Sequence, residues 1–272
     1  MRRITLAAFG LLAAAATTLA VAPIASAQET GTVYVVHGIP DTPVDVYVDG
    51  ERALDDFQPG TSAGPVDLPA GSRAVTVFPA DSDGSGDPLL SATADLGAGA
   101  DVTLVAHLTE AGEPTITPFV DDVSAVPAGQ ARLVVRHTAA APAVDVLAGG
   151  APVVSGLTNP NQEALEVPAG TVSAAVAAAG TTEPVIGPAD LDLAEGTATF
   201  VHAIGSLEAG NLSLVVVTVD GLHSAPSGVP SGAPSGAPSE SGTGAIALTG
   251  VVLVAAGATA VALRRRATTA GR

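Results

Sequence analysis

The sequence predicts an all-β protein of two tandem antiparallel, immunoglobulin-like β-sandwich domains, with a signal peptide and one C-terminal transmembrane helix at its ends. Two observations predict the sandwiches. Short runs of alternating apolar and polar residues, such as Val44–Val48, recur along the chain, and clusters of Gly, Pro and Asp separate them. This pattern also repeats after about 100 residues, which is a normal domain length.

The N-terminus has the three parts of a secretory signal peptide. Arg2 and Arg3 supply the positive charge, an apolar run follows, and Ala25-Ser26-Ala27 supplies the small-residue cleavage pattern. We expect residues 1–27 to be removed by cleavage after Ala27, so that the mature chain begins at Gln28 and is exported.

The C-terminal end predicts a surface anchor. Residues 223–243 form a Ser/Gly/Ala/Pro-rich spacer, and residues 244–263 form a transmembrane segment or sorting signal whose uncharged run is long enough to span a bilayer. The basic tail 264–272 begins with three Arg residues, which by the positive-inside rule stay in the cytoplasm. This arrangement predicts a protein of the cell membrane or cell wall surface, with residues 28–243 outside.

A resemblance to a known signal lies within this anchor. The stretch Ile246-Ala247-Leu248-Thr249-Gly250 resembles the LAxTG-type sorting signal of actinobacterial surface proteins, with Ile in place of the first Leu. The resemblance implies that a sortase cuts between Thr249 and Gly250 and links Thr249 to peptidoglycan. The alternative is a plain transmembrane anchor that is retained in the membrane.

Matching segments define a first repeat at residues 28–122, a linker at 123–130 and a second repeat at 131–222. Three segments of the first repeat find partners 99 or 100 residues later. The pairs are Val35-Val36-His37 with Val135-Arg136-His137, Val44-Asp45-Val46 with Val144-Asp145-Val146, and Leu68-Pro69-Ala70-Gly71 with Val167-Pro168-Ala169-Gly170.

The opening of the first repeat carries a family resemblance. Residues His37–Gly50 read HGIPDTPVDVYVDG, which resembles the bacterial domain-of-unknown-function 4397 family with its H-x-x-P-x-x-P-x-V-D-V-type signature. Residues His137–Gly150 are a degenerate copy that keeps the His, Pro142 and the Val-Asp-Val triplet. The resemblance implies an extracytoplasmic β-sandwich module, often in tandem, and it implies no activity.

Composition and charge exclude several functional classes. The chain has no Cys, which excludes disulfides and thiolate metal sites. Residues 28–243 contain four Arg and no Lys against 27 Asp and Glu, a net charge of about −23. Such a charge opposes binding to nucleic acid and to anionic lipid.

The candidate chemical groups begin with a repeated His and Asp. His37 and Asp45 recur as His137 and Asp145 with the same spacing of eight residues. We expect a hairpin to bring each His beside its Asp in a hydrogen bond that fixes the loop. A catalytic or metal-binding dyad is the alternative, but no nucleophile or third ligand recurs with it. We expect His107, His202 and His223 to be structural or solvated.

Two further motifs are weaker. Asp81, Asp83 and Asp87 resemble the first half of a calcium-binding loop, but Ala92 stands where such a loop has Glu, so an acidic hairpin loop is the alternative. Residues 60–64 match the G-x-S-x-G nucleophile motif by letter, yet Pro residues flank them and no helix pattern follows.

We therefore expect a non-enzymatic, cell-surface-anchored protein that displays two β-sandwich modules and uses no cofactor and no catalytic residue. The alternatives are an extracellular binding or adhesion module for a glycan or protein, weakly calcium-dependent, and then an exported hydrolase. The expected partners are an unknown extracellular molecule, the membrane through residues 245–263, and the sortase and peptidoglycan of the sorting alternative, but no nucleic acid.

Overall fold

Two runs of eight strands make up the structure. The computed structural model describes residues 29–224, so the signal peptide, nearly all of the spacer, the membrane segment and the basic tail lie outside the described residues. The strands of the first half are β1 Thr30–His37, β2 Val44–Val48, β3 Glu51–Phe57, β4 Ser62–Pro69, β5 Gly71–Pro79, β6 Leu90–Leu96, β7 Asp101–Leu108 and β8 Pro114–Asp121. Those of the second half are β9 Gln130–His137, β10 Val144–Ala148, β11 Ala151–Leu157, β12 Gln162–Pro168, β13 Gly170–Ala178, β14 Pro184–Leu193, β15 Ala198–Ile204 and β16 Ser213–Val219.

Each half consists of two four-stranded sheets with the same strand order. In the first half the orders are β4-β1-β7-β8 and β3-β2-β5-β6, and in the second they are β12-β9-β15-β16 and β11-β10-β13-β14. A core of Val and Leu side chains, with Val46 and Leu104 in the first half and Val146 and Leu193 in the second, lies between the sheets. Within the described residues, the prediction of an all-β fold with two sandwich-like halves is confirmed.

The prediction that every strand pairs in the antiparallel direction is wrong for one pair in each half. β1 runs parallel to β7, with His37 opposite Ala106, and β9 runs parallel to β15, with His137 opposite Ala203. Alternating polarity shows which face of a strand is buried but not which distant strand lies beside it. The sheets that contain β1 and β9 are therefore mixed.

A third apolar core joins the two halves. Because side chains alternate across a strand, Leu104 of β7 faces the core of its own half while Val105 faces the second half. Val36, Val105 and Phe119 pack there with residues of β9, β15 and β16, among them Phe200 and Val217. The sheets β4-β1-β7-β8 and β12-β9-β15-β16 thus form an interface between the halves. Among the described residues, no helix has the length and hydrophobicity of a membrane span.

Candidate functional site at the junction of the two halves

The repeated histidine holds the loop that carries the family signature. His37 ends β1 and is buried, and its Nε2 donates a hydrogen bond to the Thr42 carbonyl oxygen at 2.8 Å. In the second half, His137 Nε2 donates to the Pro142 carbonyl oxygen at 2.9 Å. Burial lowers the pKa of His37, and the bond to Thr42 opposes that effect. Each histidine therefore fixes the turn between the first two strands of its half.

The repeated aspartate binds main-chain groups as well. Asp45 accepts hydrogen bonds from the backbone N–H of Asp56 at 2.8 Å and of Ser82 at 3.0 Å. Asp145 accepts equivalent bonds from Gly156 and Gly180, both at 2.8 Å. The carboxylate thus ties its strand to β3 or β11 and to the loop after β5 or β13.

The predicted hydrogen bond between each His and its Asp is therefore wrong. The physical reason is that β1 and β2 belong to different sheets, as do β9 and β10, so no hairpin places the two side chains opposite each other. Each His and each Asp binds main-chain groups instead. This use of their polar atoms gives no support to a catalytic dyad.

The calcium candidate is not supported by the geometry. Asp83 accepts hydrogen bonds from the Ser85 hydroxyl at 2.6 Å and the Ser85 backbone N–H at 3.0 Å, and these bonds lower the pKa of its carboxyl. Within residues 29–224, Asp81, Asp83 and Asp87 do not converge on a common point.

The described part of the chain contains one group of three acidic side chains close enough to share an ion, Asp45, Asp55 and Asp56. Arg52 already forms ion pairs with two of them, at 3.5 Å to Asp45 and in contact with Asp55. The Gly60–Gly64 motif gives no nucleophile elbow, since the strand β4, and not a helix, begins at Ser62.

The interface core contains a buried ion pair that the sequence analysis missed. Arg136 of β9 pairs with Asp121 of β8, and both side chains are fully buried. The guanidinium lies between two aromatic rings, with its Cζ 4.5 Å from the Phe119 centroid and 4.8 Å from that of Phe200. Burial lowers the pKa of Arg136, and Asp121 opposes this effect. A comparison of the two repeats could have revealed this pair, because Arg136 occupies the position that apolar Val36 occupies in the first repeat.

Two more histidines lie in this interface. His107 is buried and hydrogen-bonds the Leu108 carbonyl at 2.9 Å and the Thr117 hydroxyl at 2.8 Å. His202 is also buried, and within the described residues neither ring nitrogen has a hydrogen-bond partner. Burial, and then the charge of Arg136, lower the pKa of His202 to about 3. His223, in contrast, is exposed.

A cleft opens beside the signature loop, where the two halves meet. Its volume is about 200 Å³. We call it the junction cleft; its walls include Ile39, Asp41 and Pro59 of the first half and Gly205, Asn211 and Ser213 of the second. The loop approaches the second half closely, since a Cβ atom on Gly38 would lie 2.8 Å from Ile204 Cγ2. Neither repeat contains this cleft alone, so the sequence of a single repeat does not predict it.

The same junction occurs a second time with the halves exchanged. By strand register, Leu108 of the first half corresponds to Gly205 of the second, and Ala139 corresponds to Ile39. At this second junction the Asn159 side chain donates hydrogen bonds from Nδ2 to the Leu108 carbonyl at 2.8 Å and to the Ala139 carbonyl at 2.6 Å. Pro59, at the position of Asn159, has no such group.

Residues 31–147 match the family described as Domain of unknown function (DUF4397). The match covers the first half and extends through most of β10. It therefore contains the signature loop of the junction cleft and confirms the resemblance of the first repeat. No curated protein matches the sequence.

Proposed function

We propose that this is an exported, non-enzymatic protein, anchored at the cell surface, which displays two immunoglobulin-like β-sandwich repeats as one rigid body. The signal peptide, spacer and apolar anchor of the sequence support export and anchoring. The observation that carries the rest is the interface core, in which Arg136 and Asp121 are buried between apolar side chains of both halves. Two modules that share a core move together, as suits a rigid element held away from the cell by a spacer.

The repeated His and Asp side chains support a non-enzymatic role, because their polar atoms bind the protein's own main chain. The two repeated histidines bind carbonyl groups of the turns that follow β1 and β9. The two repeated aspartates bind backbone N–H groups of β3 and β11 and of the loops that follow β5 and β13. An exported hydrolase remains the least supported alternative, because such an enzyme needs polar side chains that converge on a reacting atom.

Export and anchoring can be tested on cells that make the protein. N-terminal sequencing of the mature protein should begin at Gln28, and protease added to intact cells should remove residues 28–243. A Thr249→Ala variant separates the two anchors, because loss of covalent wall linkage indicates sorting and no change indicates a retained membrane helix. An uncleaved protein that is protected from external protease would contradict the proposal.

The second candidate function is that of an extracellular binding module for a protein or glycan. The junction cleft favours it, because the cleft is open and lined by polar groups from both halves. A protein is the better partner, since sugar binding commonly uses exposed aromatic faces and Tyr47 is buried while Tyr34 is half-buried. The calcium dependence of this alternative is not carried forward, given the geometry of Asp81, Asp83 and Asp87.

A further inference from the structure

The two junctions between the halves differ in several side chains, and one difference is that Asn159 of the second repeat stands where the first repeat has Pro59. At one junction, the Asn159 amide donates two hydrogen bonds to carbonyl groups of opposite halves. At the other junction, Pro59 replaces the amide, and a cleft of about 200 Å³ lies in front of the corresponding residues Ile39 and Gly205. This volume far exceeds the roughly 10–15 Å³ that a single water needs. The Asn159 amide therefore shows that an N–H donor can bridge such a junction. At the cleft, the Gly205 carbonyl accepts one hydrogen bond, from the Ala140 backbone N–H at 2.8 Å, and a ligand would use its second lone pair.

The negative charge around the junction cleft favours a positively charged N–H donor over a neutral one. Asp41 lies at its wall, and its carboxylate accepts no hydrogen bond within residues 29–224. All but one of the chain's 27 acidic residues lie in the described part. That part contains four arginines, and each of them already forms an ion pair, namely Arg52, Arg73, Arg132 and Arg136. A cationic donor thus meets attraction there without competition from a neighbouring side chain.

We propose that the junction cleft binds a positively charged N–H donor, a guanidinium or ammonium group, in the position that the Asn159 amide occupies at the other junction. The cation would donate hydrogen bonds to backbone carbonyls and to Asp41. This inference rests on the binding function named as the second candidate, and it specifies the chemistry of the ligand. The group can belong to a partner protein's Arg or Lys side chain or to a free small cation.

Calorimetric titration of the full-length protein in detergent tests the proposal. N-acetyl-arginine amide is the probe, and the isosteric N-acetyl-citrulline amide, which is neutral, is its control. We expect saturable binding of the arginine compound at least about tenfold tighter than that of the citrulline compound, as for a charge-assisted hydrogen bond. A pentapeptide with a central arginine distinguishes the sources, since a peptide that binds tenfold tighter again indicates a protein partner and equal affinity indicates a free cation.

Two variants locate the site. Asp41→Asn keeps the left-handed backbone at φ 57°, which Asn tolerates, and should weaken binding about tenfold or more. Asp95→Asn removes the same charge from an exposed position on β6 and should leave the affinity within about twofold. The variant Pro59→Asn places an amide at the position of Asn159, keeps Gly60 with its φ of 73° and its hydrogen bond to the His37 carbonyl, and should abolish binding, because its own side chain occupies the cleft.

Two results would overturn the inference. Equal binding of the arginine and citrulline compounds would contradict a cationic ligand. Unchanged affinity in both Asp41→Asn and Pro59→Asn would show that the cation binds elsewhere, while a binding function of the protein itself would survive. A circular dichroism spectrum and unfolding midpoint for each variant exclude loss of fold as the cause of lost binding.

Discussion

Arg136 and Asp121 form a fully buried ion pair that crosses the interface between the two halves of the molecule. The Thr103 hydroxyl also donates to Asp121, at 2.7 Å, so both charges have hydrogen-bond partners in the apolar core. A buried pair of this kind adds little net stability compared with apolar residues. Any other packing of the two surfaces would, however, leave a buried charge without its partner. The second repeat therefore pairs with the first through Arg136, and the first repeat has no arginine at the equivalent position.

Removing one partner of this pair should be far more harmful than replacing both. We expect Asp121→Leu to lower the free energy of unfolding by about 3–5 kcal/mol, because it leaves the Arg136 guanidinium buried without its counter-charge. Urea denaturation measures the loss. The double variant Asp121→Leu, Arg136→Met should recover most of it, and a double variant as unstable as the single one would contradict this account.

The Asn159 side chain should stabilise the second junction. We expect Asn159→Ala to lower the free energy of unfolding by about 1–3 kcal/mol, because the Leu108 and Ala139 carbonyls lose their side-chain donor. Urea denaturation again gives the measurement. Asn161→Ala is the matched control, since its amide bonds only the exposed Thr158 hydroxyl, and an equal loss in both variants would refute the junction's role.

Gly38 should be necessary for the close approach of the signature loop to the second half. A Cβ atom there would lie 2.8 Å from Ile204 Cγ2 and 3.1 Å from the Ala106 carbonyl oxygen. Gly38→Ala should therefore cost about 1–3 kcal/mol of stability through overpacking. Thermal unfolding provides the measurement, with Gly97→Ala as the control, because its Cβ would meet only Ala100 Cβ at 3.4 Å. Equal melting temperatures for the two variants would contradict the prediction.

His202 should make the protein sensitive to acid. In the unfolded chain this imidazole takes up a proton below about pH 6.5, whereas in the folded protein its pKa is about 3. The folded state therefore loses stability as the pH falls from 6.5 towards 3, by at most about 1.4 kcal/mol per pH unit. Burial also lowers the pKa of His37 and His107, so both act in the same direction.

Urea midpoints measured between pH 7 and pH 4 test this effect. The variant His202→Val carries the residue that the first repeat has at this position, Val105. Its free energy of unfolding should fall less steeply with acid than that of the wild type. Parallel curves for the two proteins would show that His202 does not remain neutral in the folded state.

Much of the fold was predictable because local pattern determines burial. The alternation in Val44–Val48, for example, corresponds to an observed strand. The strand Glu51–Phe57 was not predicted, because it lies at a sheet edge and four of its seven side chains are charged, which hides the alternation. The parallel pairing of β1 with β7 joins segments about 70 residues apart, which no local pattern encodes.

The candidate site was less predictable for a different reason. The signature from His37 to Pro43 was visible in the sequence, but its role depends on Ile204 and Gly205, which belong to the other half. A sequence read one repeat at a time cannot show a surface that arises only when the repeats pack together. The sequence could have indicated this surface only through differences between equivalent positions of the two repeats. Examples are Pro59 against Asn159 and Val36 against Arg136.

The most direct test of this account asks whether the two halves unfold as one unit. The chain contains two Tyr and no Trp, and both lie in the first half. Tyr34 packs against the interface core, so tyrosine fluorescence reports the first half and its contact with the second. Far-UV circular dichroism reports the strands of both halves. In urea, the shared core predicts a single transition with the same midpoint by both probes. A circular dichroism curve with two steps, only one of which coincides with the fluorescence change, would show that the halves are independent and would contradict the account.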